Sequence, residues 1–268
     1  SKSPWTETGM KANEGTKPAS AKQRTRKTAE ERKKGLVTLR LSKEEREQQI
    51  VQKAIQVFAE RGFTASTHEI ARALGITQPL LYNYFPTKEA LVDRVYDEVF
   101  VRRWDPLWED WLADSTQPLA VRLKRYLKDY ARSILKSDWV RIFIFGGLSR
   151  EGINQRYVTR LRERHFTVIA REMRKEFDIP EPGSEDELEE ELELIWSMHS
   201  GVFYIGVRKW IYALPVPKDM DRVIDMRVDS FLLGAPQVLK AARADRTRRG
   251  GGARPKALPV PATDASRI

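Results

Sequence analysis

At 268 residues, 41% of them hydrophobic, and with a net charge of +10, the chain is long enough to bury a sizeable core in one large or two modest domains. The absence of cysteine excludes disulfides and thiolate metal sites. No apolar run reaches the roughly 18 residues a membrane helix needs, and the N-terminal SKSPWTETGM lacks the apolar stretch of a signal peptide, so the chain reads as a soluble, cytoplasmic protein.

The charge is unevenly placed. Residues 1–41 carry eleven Lys and Arg against four Asp and Glu, and residues 241–268 carry seven against two, which leaves the stretch between them slightly acidic. Both ends are poor in large apolar residues, and 1–41 and 242–268 read as disordered basic tails. From Ser42 the apolar residues recur with a period near 3.6 and no stretch sustains period-2 alternation, which predicts an all-α body. The first helix opens on SKEE, a capping box in which Glu45 reaches back to Ser42. Its apolar face, Ile50, Val51, Ala54, Ile55 and Phe58, runs to the break at Arg61-Gly62. STHE at Ser66–Glu69 is a second capping box. It opens a short helix with Ile70, Ala71 and Leu74 as its buried stripe, closed by Gly75. Thr77 caps a third helix, and two helices joined by a three-residue turn containing glycine form a helix-turn-helix.

In the third helix, ITQPLLYNYFPTKEAL, Leu81 and Phe85 lie at i and i+4. If these two point inward, Pro79, Tyr82 and Asn83 point away at 100° per residue, with Gln78 and Leu80 on the flanks. Such a surface suits a DNA major groove. Gln and Asn can bond base edges, Pro and Leu can meet a thymine methyl, and a Tyr hydroxyl can reach phosphate. The first-turn amides of this helix and of the one opened by Ser66, Thr67 and His68 are further phosphate ligands. An exposed aromatic helix also occurs at protein interfaces, and a helix-turn-helix can be purely structural.

Over about Arg46 to Leu91 the chain resembles the DNA-binding domain of the TetR family of bacterial transcription regulators. The resemblance rests on Phe58 with Gly62, Ile70-Ala71, Gly75-Ile76-Thr77, Leu81-Tyr82, Tyr84-Phe85 and Lys88-Glu89-Ala90-Leu91. It implies that Tyr82 and Lys88 grip phosphates and that Gln78, Pro79, Leu80 and Asn83 face bases. Tyr84 stands where histidine is common. The expected domains are a helix-turn-helix DNA-binding domain at 42–87 and a helical ligand-binding and dimerisation domain at 88–241. The expected DNA-side residues are Ser66, Thr67, His68, Thr77, Gln78, Pro79, Leu80, Tyr82, Asn83, Tyr84 and Lys88.

Beyond Thr87, helices are predicted to about Arg103 and then at about 117–136, 138–147, 150–177, 185–212 and 219–241. IWSMHSGVFYIGVRKWIYAL, late in the chain, is apolar almost all round and must be covered on several sides, either as core or as a dimer interface. The resemblance implies a homodimer paired through its last helices. The middle of the chain is rich in aromatics. Trp104, Trp108, Tyr130, Phe145, Trp196 and Phe203, with the polar Arg141, His165 and His199, are candidates for the wall of a pocket holding a small apolar or amphipathic effector, the alternative being ordinary core. The sequence has three histidines and lacks a Glu-x-x-His pair, a Gly-x-Ser-x-Gly and a Gly-rich phosphate loop. No catalytic residue, metal site or cofactor is therefore assigned, and the acidic run EDELEEELELI reads as a solvated helix face. The expected function is a ligand-responsive DNA-binding regulator, by resemblance a repressor of a palindromic operator. The alternatives are a helical adaptor with basic tails for acidic partners, or a helical enzyme whose site the sequence does not display.

Overall fold

The computed structural model describes residues 41–149 and 152–250. Most of both expected tails lies outside the described residues. The chain divides into two compact units, Ser1–Arg46 and Glu47–Ile268. In the first, the Ser42 amide donates to Glu45 Oε2 (2.7 Å) and the Glu45 amide to Ser42 Oγ (3.1 Å), the capping box expected there.

Among the described residues there are helices and no strands, so the fold is all-α. Helix α1 (Lys43–Arg61) is followed by α2 (Thr67–Leu74), α3 (Gln78–Tyr84) and α4 (Lys88–Tyr96), which form the helix-turn-helix region and its exit. The sequence places these ends locally. Ser66 and Glu69 bond reciprocally through the Ser66 amide (2.7 Å) and the Glu69 amide (3.2 Å), satisfying donors that the helix start leaves open. Gly75 closes α2 at φ 68°, its amide returning to the Ala71 and Arg72 carbonyls, a left-handed cap that a residue with a Cβ adopts only under strain. Thr77 and Thr87 cap α3 and α4 by accepting from the Leu80 amide (3.4 Å) and the Ala90 amide (3.1 Å). Ile50, Phe58, Ile70, Leu81 and Phe85 close the small core.

The rest comprises α5 (Leu107–Ala113), α6 (Leu119–Ile134), α7 (Ser137–Ser149), α8 (Ile153–Leu161), α9 (Thr167–Phe177), α10 (Glu185–Trp210) and α11 (Met220–Gly250). Helix α11 packs along α6, α10 against α7 and α11, and α5 against α6 and α9. Three features depart from the periodicity. The helix expected to run unbroken to Arg103 changes at Asp97–Val101 to π geometry, so the Arg102 amide bonds the Asp97 carbonyl at 2.9 Å. A second π segment, Arg162–Phe166, joins α8 to α9. Its inserted residue shifts the inward stripe by one position, so that His165 and Phe166, neighbours in sequence, are both buried. The helix expected to end near 241 continues to Gly250.

That continuation has an electrostatic cause. Glu191 on α10 is wholly buried, and its Oε2 accepts from Arg174 of α9 (3.0 Å) and Arg243 of α11 (2.6 Å), while Arg246 pairs with Glu187 and Glu190. The acidic face of α10 is thus matched by arginines of α11 rather than by water alone. Removing the shared carboxylate leaves buried guanidinium charge under-compensated, so Glu191→Ala should cost about 3–5 kcal/mol. Urea denaturation checks this, and a loss below about 1 kcal/mol would show that Glu191 does not hold the end of α11.

Candidate nucleic-acid interface and interior cavity

Helix α3 presents the face that its wheel requires. Leu81 and Phe85 are buried, and Pro79, Leu80, Tyr82 and Asn83 are exposed, Tyr82 retaining 39% of its accessible surface. Beneath the exposed face is a polar cluster. Thr67 Oγ1 and Tyr82 Oη lie 3.1 Å apart, and Gln78 Nε2 donates to Thr67 Oγ1 (3.1 Å) and to Tyr82 Oη (3.4 Å). Thr67 is only 5% exposed. It therefore anchors the two larger side chains from α2, and Gln78 and Tyr82 are held in fixed rotamers across the helix-turn-helix.

The other residues expected on this surface separate into three groups. Ser66, His68 and Thr77 are exposed beside it, at the starts of α2 and α3. Tyr84 is half-buried and packs against the core, which accounts for an aromatic at its position. Lys88 is half-buried, and its Nζ donates to the Phe63 carbonyl in the α1–α2 turn. A cation at a helix start opposes the dipole, and here a carbonyl oxygen compensates it without an anion. Two of the three ammonium donors remain for another acceptor.

Of the nine residues expected around a ligand, the structure brings four to one cavity. Tyr130, Trp196, His199 and Phe203 line a space of about 130 Å3, joined by Trp139, Phe143, Tyr157, Val158, Leu161 and Ser200. Trp104, Trp108 and His165 form the adjoining layer of packed rings. His165 stacks on Trp104 with centroids 4.4 Å apart, and Trp108 meets Tyr130 edge-on at 5.3 Å. Arg141 and Phe145 lie elsewhere. Arg141 donates to the carbonyl of Ala59 on α1 and to that of Trp210 at the end of α10 (3.2 Å). Phe145 covers Gly62, where an added Cβ would come within 2.9 Å of its ring; Gly62 has φ 77°. Both side chains leave α7 towards the DNA-binding end of the fold, because α7 buries two faces and its sequence does not say which one meets the cavity. Tyr157, which the sequence reading missed, stands on α8 just before the π segment that obscures the helix phase.

The layer behind the cavity is a polar network inside an apolar one. Tyr126 Oη lies 2.8 Å from His165 Nδ1 and 3.4 Å from His199 Nε2, so the hydroxyl donates to one imidazole and accepts from the other. Tyr157 Oη donates to Tyr130 Oη at 3.0 Å. Burial depresses both imidazoles from their ordinary value to about 3, His165 with smaller contributions from His199 and Arg160, and pushes the Tyr126, Tyr130 and Tyr157 hydroxyls up. All five groups are neutral at neutral pH. No group of three or more His, Cys, Asp or Glu among the described residues is placed to hold a metal.

A helix-turn-helix with a pre-set polar outer face is thus mounted on a helical body with an aromatic interior. Residues 50–95 match the family model described as bacterial regulatory proteins, tetR family. The chain is 40% identical over 136 residues to the HTH-type transcriptional regulator LuxR of Vibrio harveyi, covering 48% of this chain and 63% of that protein. It is 38% identical over 63 residues to the uncharacterized HTH-type transcriptional regulator YuxN of Bacillus subtilis strain 168, covering 22% of each. The fold is similar to that of a TetR-like transcriptional regulator from Rhodococcus sp. RHA1, with a TM-score of 0.52 and 19% identity over 73% of this chain and 100% of that one. The family match is confined to residues 50–95, the segment from within α1 to the last turn of α4. The chain spans less than two thirds of the length of the two curated relatives.

The neutral histidines set an acid limit. Above about pH 6.5 neither the folded nor the unfolded chain protonates them, and their burial then carries no proton penalty. As the pH falls from 6.5 towards 3, only the unfolded chain takes up these protons, and stability is lost by up to about 1.4 kcal/mol per pH unit for each histidine. Urea titrations at pH 7, 6 and 5 should show that slope, and His199→Gln, which cannot titrate, should reduce it by about half. An unchanged slope in the variant would mean that His199 titrates alike in the folded and the unfolded chain.

Proposed function

We propose that the protein is a homodimeric, ligand-responsive transcription regulator of the cytoplasm, acting by binding rather than by catalysis and repressing from a palindromic operator. The observation that carries this reading is α3. Its apolar pair is buried, while Pro79, Leu80, Tyr82 and Asn83 face outward, with Gln78 and Tyr82 fixed by a buried Thr67. In the groove, Gln78 and Asn83 would meet base edges, Pro79 and Leu80 thymine methyls, and Tyr82 and Lys88 the phosphates. Ser66, Thr67, His68, Thr77 and Tyr84 would complete or support that surface.

Pairing would run through α10 and α11. Met226, Leu233 and Val238 are exposed on α11, a face that a second copy would cover. Two α3 helices related by a two-fold axis then read half-sites about 34 Å apart. The control route starts at the cavity. Helix α7 carries Trp139 and Phe143 on the cavity wall, and Arg141 and Phe145 on α1 and the turn after it. Phe100, in the π segment after α4, packs against Trp139 at 5.0 Å and Phe143 at 6.2 Å. A small apolar effector that displaces these rings moves both connections to the DNA-binding end, and by linkage DNA weakens effector binding by the same factor.

Selection from random duplexes should return a sequence with dyad symmetry. Asn83→Ala should then relax preference at particular base pairs by about 1–3 kcal/mol. Tyr82→Phe and Lys88→Ala should instead weaken all duplexes alike and lower the salt dependence of binding. Gel shifts over a salt series separate the two effects; a selected consensus without a dyad, or an unaltered salt slope in Lys88→Ala, would overturn the corresponding assignment.

A further inference from the structure

The cavity's walls define the chemistry of what fits them. Six of its ten lining residues are Tyr130, Trp139, Phe143, Tyr157, Trp196 and Phe203, packed mainly edge-to-face. Trp139 and Tyr157 meet at 5.2 Å and 74°, Trp139 and Phe203 at 5.9 Å and 69°, and Phe143 and Phe203 at 5.2 Å and 71°. A ring entering this shell continues the same arrangement, with aromatic edges meeting aromatic faces, and gains more than an aliphatic chain of equal area. The volume, about 130 Å3, is that of a single ring, since an apolar cavity of about 150 Å3 accommodates benzene.

Charge is absent from the lining. No Lys, Arg, Asp or Glu is among the ten residues, and the Tyr130 and Tyr157 hydroxyls are engaged with each other. His199 is buried on an edge shared with Tyr126. A carboxylate or ammonium brought here would lose its hydration with no opposite charge in the lining to replace it. Polarity remains at one end, where His199 is joined by Ser200, an exposed residue at the mouth on α10. One small uncharged polar group on the ring can be met there.

We infer that the cavity binds a neutral, monocyclic aromatic compound bearing at most one uncharged polar substituent, its ring among the six aromatic side chains and its substituent towards His199 and Ser200. The inference deepens the reading of the protein as ligand-responsive and rests on it. It excludes aromatic acids, amines charged at neutral pH, fused-ring systems and aliphatic chains as good ligands of the intact cavity.

Calorimetry on the full chain at neutral pH, without DNA, tests it with phenol, benzoate, hexan-1-ol and 2-naphthol. Phenol should bind saturably and at least tenfold tighter than each of the other three. Ser200→Leu, a change at an exposed position, should narrow the mouth and weaken phenol at least tenfold. Phe203→Ala, which removes a half-buried ring, should enlarge the space and reverse the order of phenol and 2-naphthol. Benzoate or hexan-1-ol binding as tightly as phenol, no phenol binding up to millimolar concentration, or phenol binding indifferent to both variants would overturn the inference. A gel shift on the selected operator separates it from the functional reading. Phenol that binds but leaves operator affinity unchanged sinks the regulatory coupling and leaves the cavity assignment standing. Operator binding without any phenol affinity does the reverse.

Discussion

Putting a histidine into an apolar interior imposes a choice between a paired charge and a neutral, hydrogen-bonded ring, and this body takes the second course twice around one tyrosine. Tyr126 serves His165 and His199 together, and three helices, α6, α10 and the π segment before α9, must come together at its hydroxyl for that to occur. The aromatic layers on either side follow from the same point. Trp104 and Trp108 close over His165, Tyr130 and Phe166 over His199, and beyond Tyr130 the cavity opens within a shell of rings that meet edge to face. One nitrogen, His165 Nε2, is buried without a partner, a cost that a better-packed apolar residue would avoid. The network therefore fixes the relation of these helices more than it adds to stability.

The same division between holding and presenting recurs at α3. Gln78 and Tyr82 could each rotate freely on an exposed helix of seven residues, and ordering them only when a partner arrives would cost conformational entropy. Thr67, from the neighbouring helix, takes that ordering into the free protein. A threonine suits the position because its hydroxyl both accepts from the Gln78 amide and exchanges with the Tyr82 hydroxyl, whereas valine would fill the same volume and hold neither. The price is a surface less able to adapt.

What could be read in the sequence was local. Capping boxes at Ser42 and Ser66, the cap at Thr77, and the glycine at position 75 are decided by residues a few places apart, and the structure has each. The buried faces of α1, α2 and α3 were legible for the same reason. What was not legible depends on partners distant in sequence. The π segments leave no mark in the periodicity except a stripe that slips by one residue. The arginines that prolong α11 find their carboxylates some fifty residues earlier, on α10. Lys88 reads from sequence, through the family resemblance, as a phosphate contact at a helix start, and only the tertiary fold brings the Phe63 carbonyl to it.

Arg141 and Phe145 show most plainly how composition misleads where topology decides. An arginine and a phenylalanine amid aromatics look like a pocket wall, and on α7 the true wall residues, Trp139 and Phe143, differ from them by two positions. Two residues on a helix is about 200°, so the pairs necessarily face opposite ways. That offset gives α7 its place in the molecule. One side is bound into the aromatic shell by rings of other elements, Phe100 on Trp139 at 5.0 Å and Phe203 on Phe143 at 5.2 Å, and the other is bound to α1 by a guanidinium that also holds the last turn of α10. A helix of 13 residues with both faces fixed cannot absorb a displacement on one side by bending alone. In the proposed response to an effector it would rotate or slide as a body, and either movement would reach the carbonyl of Ala59 and the turn at Gly62, from which α2 and α3 depart.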